Sequence, residues 1–453
     1  MTDLGDRLRR LRRAAAPETP APIDSGLERL ERTVLGAPRH DLALKARLEG
    51  LLAASTRRAG SGARMEDLVD GEVVEGPHGA FFRVDTDRHL ESRHGRVSLS
   101  RIRTLQPEAG GVLACETPRA PFDLARAVFL DTETTGLAGG SGTAAFLVGI
   151  GFVEDDRFRV RQYLMRDYNE EPALLHALAA DLARFDRLVT FNGKLFDVPL
   201  LETRFSLCRW PFPLQAAEHL DLLHPARRLW KLRLDSCRLQ YLEVELLGVR
   251  RVDDVPGERI PAIYFDYVRN RDARFMARVL EHNRLDIVSL AALAVLACQW
   301  LDGQHAEDPR DVLSLARVLE RAQLHDRSLA EYRKALGSGD DRVRIPALRR
   351  IAASAQRGGD QAAALALWRE AAAAGDPLAL RQLAIHHEHR LKDYQGALGL
   401  SERGLAAAAC EPAAQGVRRD FAERRARLSR KLSRAGAAGN SPAGGRSRSR
   451  PPA

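Results

Sequence analysis

The chain has 453 residues, more than one hydrophobic core usually organises, so two domains with flexible ends are expected. Its net charge of +9 leaves two readings open, solvated arginine faces or binding of a polyanion. The five cysteines, Cys115, Cys208, Cys237, Cys298 and Cys410, have no C-x-x-C spacing, which argues against a disulfide framework and a zinc ribbon and predicts a reducing, cytoplasmic setting. The arginine-rich N-terminus lacks an apolar leader core, and no run of eighteen uncharged apolar residues follows, so no membrane partner is expected.

Residues 1–25 and 433–453 are rich in Arg, Ala, Pro, Gly and Ser and are expected to be disordered. Residues 26–120 read as a lead-in, with short strands between Val73 and Leu105. From 121 to 303 the pattern is that of an α/β domain. Ala127–Leu130 is a short apolar strand ending at Asp131, and strand-like runs follow at 144–153 and 158–164. Residues 171–185 have helical spacing, and 188–191 return to strand. Helices then dominate, with Leu239–Leu247 stopped by Gly248 and a long amphipathic helix over Arg274–Trp300. This order predicts a mixed central sheet flanked by helices.

Between 308 and 432 the composition shifts to Ala, Leu and Arg, with a loose repeat of 33–36 residues. Ser328, Tyr332 and Ala335 align with Ala364, Trp368 and Ala371, and then with Ala397, Ser401 and Gly404; Leu315, Leu348 and Leu383 mark the preceding helices. The pattern resembles tetratricopeptide repeats, although Ser401 stands where an aromatic is usual; an ordinary helical bundle is the alternative.

The chemistry-bearing residues lie in three segments. In Leu130-Asp131-Thr132-Glu133 two carboxylates at i and i+2 share one face at a strand end, a weak signal alone. Asp197 lies among Phe196, Val198 and Leu200, where an unpaired charge is costly; a helix N-cap role for Asn192 or Asp197 is the plain alternative. His282 and Asp286 are one helical turn apart, with Asp286 at the edge of the buried stripe, so Asp286 needs either a cation or a buried arginine. Together Asp131, Glu133, Asp197 and Asp286 supply the hard oxygen donors that suit Mg²⁺ or Mn²⁺. Two such ions, roughly 4 Å apart, can activate water and stabilise a leaving oxygen in phosphodiester hydrolysis. His282 is the provisional proton acceptor.

LDTETTGL, FNGKLFDVPLL and EHNRLDIVSL resemble the three exonuclease motifs of the DnaQ-like (DEDD) superfamily, and together with HLDLLHPARRLWKLRLDSCRLQYLEVELLGVRRVDDVPGERIP they resemble its bacterial YprB-like branch over 122–301. The resemblance implies a ribonuclease-H-like fold, divalent-metal dependence and phosphodiester cleavage from a 3′ end, with a single-stranded end of DNA or RNA as the expected partner. One departure is the spacing: three residues separate His282 from Asp286, where histidine-type members usually have four, and Glu281 takes the usual histidine position.

Other features read as structural or open. Asp221 is a capping carboxylate or a site neighbour. Arg227, Arg228, Lys231 and Arg233 around Trp230 form either a phosphate-and-base surface or part of the core. Gly136–Gly142 is a loop and not a dinucleotide cradle, because a strand follows it; His386, His387 and His389 read as polar surface. The function expected is a metal-dependent nuclease whose repeats recruit a protein partner or brace the catalytic domain. A binding protein without turnover and a repeat scaffold are the alternatives.

Overall fold

The N-terminal part of the fold starts with β1 (Glu72–Gly76), exposed except for the half-buried Val74, and the eleven-residue β2 (Gly79–His89), which buries Phe81, Phe82 and Val84. The computed structural model describes residues 62–114, 121–136, 142–303, 306–409 and 415–439; apart from Gly62 these belong to one unit. The disorder expected for 1–25 and 440–453 falls outside the described residues, as do Cys115, Cys410 and most of the Gly136–Gly142 loop.

A two-stranded ribbon, β3 (Arg93–His94) and β4 (Val97–Ser98), and a short helix, α1 (Pro107–Ala114), precede the central strands. These are β5 (Val128–Thr134), β6 (Ala145–Glu154) and β7 (Arg157–Leu164). After α2 (Glu171–Leu182) come β8 (Arg187–Thr190), α3 (Asp197–Leu207), β9 (Glu218–Asp221) and α4 (Leu223–Trp230). The strands make a seven-stranded mixed sheet in the order β1-β2-β7-β6-β5-β8-β9, with β5–β8 and β8–β9 parallel and the rest antiparallel. The boundary expected at residue 120 therefore does not divide the sheet. β2 pairs with β7 from Phe82↔Leu164 to His89↔Arg157, a non-local pairing that the local pattern of 73–105 does not reveal. β9, with four residues of which only Leu220 is apolar, is an additional strand.

Helix α5 (Leu239–Leu242) runs into a π-helical turn, Glu243–Leu247, closed by Gly248 at φ 69°. Helices α6 (Ile260–Asn270) and α7 (Arg274–Leu301) follow. Among the described residues α7 is the one helix long and apolar enough to cross a membrane, with mean hydropathy 1.6 over eighteen residues, yet 78% of that window is buried inside the protein. It packs against β5 and β6, and two glycines of β6 make this possible. A Cβ on Gly149 would meet Asn283 Oδ1 at 2.2 Å, and one on Gly151 would meet Ile287 Cγ2 at 2.4 Å.

The C-terminal region is all-helical: α8 (Pro309–Arg321) with α9 (His325–Ala335), α10 (Asp341–Arg357) with α11 (Gln361–Ala373), α12 (Pro377–His386) with α13 (Tyr394–Ala409), and α14 (Gln415–Gly439). Every residue used to align the repeats is buried. Helix α14 reaches Gly439, so 433–439, expected to be disordered, are helical. Phe421 of α14 lies so close over Gly404 that a Cβ there would meet its ring at 2.1 Å; the aromatic absent at 401 is thus matched by a ring from the next helix. Leu315, Val318, Leu319 and Ala322 of α8 belong to the same core as Trp230 and the apolar half of α7, and Arg233 ion-pairs with the buried Asp311 at 2.6 Å.

Candidate metal centre

Strand β5 carries the first two acids. Val128, Phe129 and Leu130 are buried, and the strand becomes partly open from Asp131 onward, so its polar end emerges from an apolar base. Asp131 lies opposite Gly149 and Glu133 opposite Leu147, which keeps both acids on one face.

Asp197 is the first residue of α3, reached through a turn in which Asn192 takes φ 68°. The turn is held by Asp221, which accepts hydrogen bonds from the amides of Asn192 (2.7 Å), Lys194 (3.2 Å) and Leu223 (3.1 Å). Asp221 is thus an anchoring carboxylate for the loop that delivers Asp197. Asp197 does not cap the helix with its side chain; its Oδ1 accepts from Thr132 N at 3.1 Å and Thr132 Oγ1 at 2.6 Å, tying α3 to β5.

Helix α7 supplies the third face. Asn283 Nδ2 donates to Asp131 Oδ2 at 2.8 Å, while Gln162 Nε2 donates to Asn283 Oδ1 at 2.8 Å and fixes the amide. His282 Nε2 lies 3.3 Å from Asp286 Oδ2 and 3.8 Å from Glu133 Oε1. Ligand atoms of Glu133, His282 and Asp286 all fall within 4.8 Å of one another. Glu281 is half exposed and pairs with Arg284 at 2.6 Å, so the residue at the family's usual histidine position points away from the cluster and His282, one turn before Asp286, faces it.

Electrostatics bind the four acids into one group. Burial, with the charges of Asp286 and Asp197, raises Asp131 well above the ordinary carboxyl range; burial and the same neighbours, with Asp131, do so for Glu133. Burial lifts Asp197 to about 6 against the pull of its Thr132 hydrogen bonds. Acids crowded this way carry more negative charge than Arg251 offsets, and their carboxylate oxygens suit a hard divalent cation. Burial opposes a charged His282, but Asp254 and Asp286 outweigh it and raise its pKa.

Three participating residues carry no local signal in the sequence. Asp254 Oδ1 lies 2.7 Å from His282 Nδ1. Arg251 ion-pairs with Asp286 and with Glu243, whose Oε2 accepts from Arg251 Nε at 2.8 Å, and reaches Asp254 Oδ2 at 3.2 Å. The buried ion pair considered for Asp286 is therefore present. Only the density of charge in Arg250-Arg251-Val252-Asp253-Asp254 hinted at it. The basic cluster around Trp230 is divided: Trp230 is buried edge-on against Trp300, Arg228 donates to Leu113 O at 2.9 Å and Arg233 is held by Asp311, whereas Arg227 and Lys231 are exposed.

A family model described as RNase_H superfamily matches residues 128–298, the stretch that holds all four acids. The uncharacterized protein YprB of Bacillus subtilis (strain 168) is 31% identical over 334 residues, covering 71% of this chain and 79% of the relative. The chain belongs to the YprB family. Within this YprB-family chain the ribonuclease H superfamily domain points to nuclease chemistry and to nucleic acid as the ligand class, and folds of this kind usually use divalent metals.

Proposed function

We propose that the protein is a divalent-metal-dependent exonuclease that hydrolyses phosphodiester bonds from a 3′ end. The observation that carries this reading is the convergence of Asp131, Glu133, Asp197 and Asp286 from β5, α3 and α7, with Asp131, Glu133 and Asp197 held at raised pKa. These carboxylates would hold Mg²⁺ or Mn²⁺, two ions on this reading. The bound metal supplies activation of an attacking water and neutralisation of charge at the phosphate.

The chain's own residues do the rest. Asn283 and Thr132 orient Asp131 and Asp197. With Asp254 on its Nδ1, His282 presents Nε2 to the acids and, in its neutral form, accepts a proton from water there. Leu195 and Phe196, 69% and 58% exposed immediately ahead of Asp197, offer an apolar platform for nucleobases. A neighbouring groove of about 330 Å³, lined by residues 249–254, Arg278, Glu281 and Leu285, brings further arginine side chains to the same flank. Cys208, Cys237 and Cys298, unpaired among the described residues, favour a cytoplasmic location, and the helical pairs offer a surface for a protein partner.

A binding protein of the same fold without turnover draws support from Arg251, whose ion pair occupies an oxygen of Asp286. One experiment separates the readings. Wild type and Asp131→Asn are incubated with end-labelled single- and double-stranded DNA and RNA in Mg²⁺, Mn²⁺ or EDTA. Laddering from the 3′ end that needs metal and is lost at least about 10³-fold in the variant is expected. Folded wild type that binds these strands and cuts none of them would establish the non-hydrolytic reading.

A further inference from the structure

The positive charge of this chain is segregated. Residues 309–453 carry 27 Lys and Arg against 15 Asp and Glu, an excess of twelve, whereas residues 1–308 carry 43 against 46. The half that contains the acid cluster is therefore slightly negative, and it repels the backbone it would cut. A polyanion gains its non-specific affinity from Lys and Arg contacts to phosphates, so the helical region, with its excess of twelve, is the main source expected for it.

Within that region the charge concentrates on α14, where eight Arg and Lys face only Asp420 and Glu423 between 415 and 434. Phe421, Arg424 and Leu428 turn inward, Arg430 and Arg434 are exposed, and Arg427 and Lys431 lie on the flank beside Arg424. The π-helical turn His387–Leu391 that follows α12 meets this side of α14. Its Glu388, with a fully buried side chain, receives Arg424 Nη1 at 2.6 Å, Arg427 Nη2 at 2.7 Å and Lys431 Nζ at 3.6 Å. Lys431 also lies 4.8 Å from the Tyr394 ring centroid. Three cations on one carboxylate leave a local excess of positive charge. Arg427 and Lys431 remain 42% exposed, and Arg390 and Lys392, at the end of the turn that carries Glu388, are exposed as well.

We infer that Arg390, Lys392, Arg427, Arg430, Lys431 and Arg434 form a phosphate-binding surface that holds the body of a nucleic acid strand while its end is processed. The inference rests on the nuclease reading only for the identity of the polyanion. Glu388 acts as the internal tie that fixes the outward cations, because a buried carboxylate bridging two helices holds Arg427 by a bidentate contact while part of its guanidinium stays open to solvent. The surface is independent of sequence, since phosphate contacts position a strand and do not read bases.

The test uses the full-length protein in EDTA, so that no strand is cut, and measures affinity for long labelled DNA and RNA strands across a salt series. Arg390→Gln, Lys392→Gln, Arg430→Gln and Arg434→Gln combined are expected to weaken binding at low salt at least about tenfold and to reduce the single-strand salt slope by about 3. A control that neutralises four exposed arginines elsewhere, Arg103, Arg209, Arg342 and Arg357, should stay within about twofold of wild type. Metal-dependent hydrolysis of the nitrophenyl ester of a nucleoside monophosphate, too small to reach α14, should be equal in wild type and the quadruple variant. Binding unchanged by the quadruple variant, an equal loss in the control, or retention on anionic lipid vesicles in preference to nucleic acid would overturn the inference. Failure of wild type to hydrolyse any substrate would sink the nuclease reading instead, and the EDTA binding comparison would still decide the surface.

Discussion

Asn283 shows how much of the centre depends on one uncharged side chain. Its amide is clamped by Gln162 and donates to Asp131, so it sets the direction in which that carboxylate offers its oxygens. Asn283→Ala should weaken Mn²⁺ binding, followed by calorimetric titration, by about 10- to 100-fold while the protein stays folded. Unchanged affinity would mean that β5 alone orients Asp131. Asp131, Glu133, His282 and Asp286 could be read from the sequence because their directions are set by local geometry, at a strand end or one helical turn apart, whereas Asp197 opens a helix after a loop and was singled out by the apolar residues beside it. Arg251, Asp254 and Glu243 were not. They occupy a loop and a π-turn with no periodicity, and their pairing with His282 and Asp286 exists only after the chain has closed on α7.

The elements meet at a few contacts with no slack. Gly149 lets α7 approach β6 closely enough for Asn283 to reach Asp131, and no side chain fits between them. Gly149→Ala is expected to destabilise the protein by about 1–3 kcal/mol in thermal unfolding, through overpacking, and to weaken metal binding as well. Helix α14 is tied differently. Burial opposes ionisation of Glu388, but Arg427, Arg424 and His389 outweigh it and hold the carboxyl at about 2. A carboxyl depressed from its ordinary value stabilises the fold above that value, and the contribution fades as pH falls toward 2. Glu388→Gln should therefore cost about 2–3 kcal/mol near neutral pH, discounted for the half-exposed partners, and variant and wild-type stabilities should converge between roughly pH 4.5 and 2. A pH-independent gap would show that packing and not charge holds α14. The helix pairs were readable from their period, whereas the place of β1 and β2 in the main sheet was not, because antiparallel pairing with β7 joins segments about 75 residues apart.

On the scale of the whole molecule, the repeats are not a separable appendage. Leu315, Val318, Leu319 and Ala322 of α8 complete the core that Trp230 and α7 begin, and Arg233 would lose its partner Asp311 if the chain stopped before α8. Losing three large apolar side chains from a core removes about 2 kcal/mol each, a large part of the 5–15 kcal/mol that holds a domain together. Truncation after Asp308 should give insoluble or loosely packed protein, judged by soluble yield and by the cooperativity of urea unfolding. A cooperatively folded fragment would show that the repeats serve only as an adaptor.

The hydrogen bond from Asn283 to Asp131 joins residues 152 positions apart, and Asp286 arrives later still. During synthesis, β5 and its two acids leave the ribosome long before the helix that completes the centre, so a nascent or prematurely terminated chain lacks the full ligand set. On the reading proposed above, the ligand set is complete only once α7 has been made and has packed on β5 and β6, so the last step in assembling the centre is a long-range one.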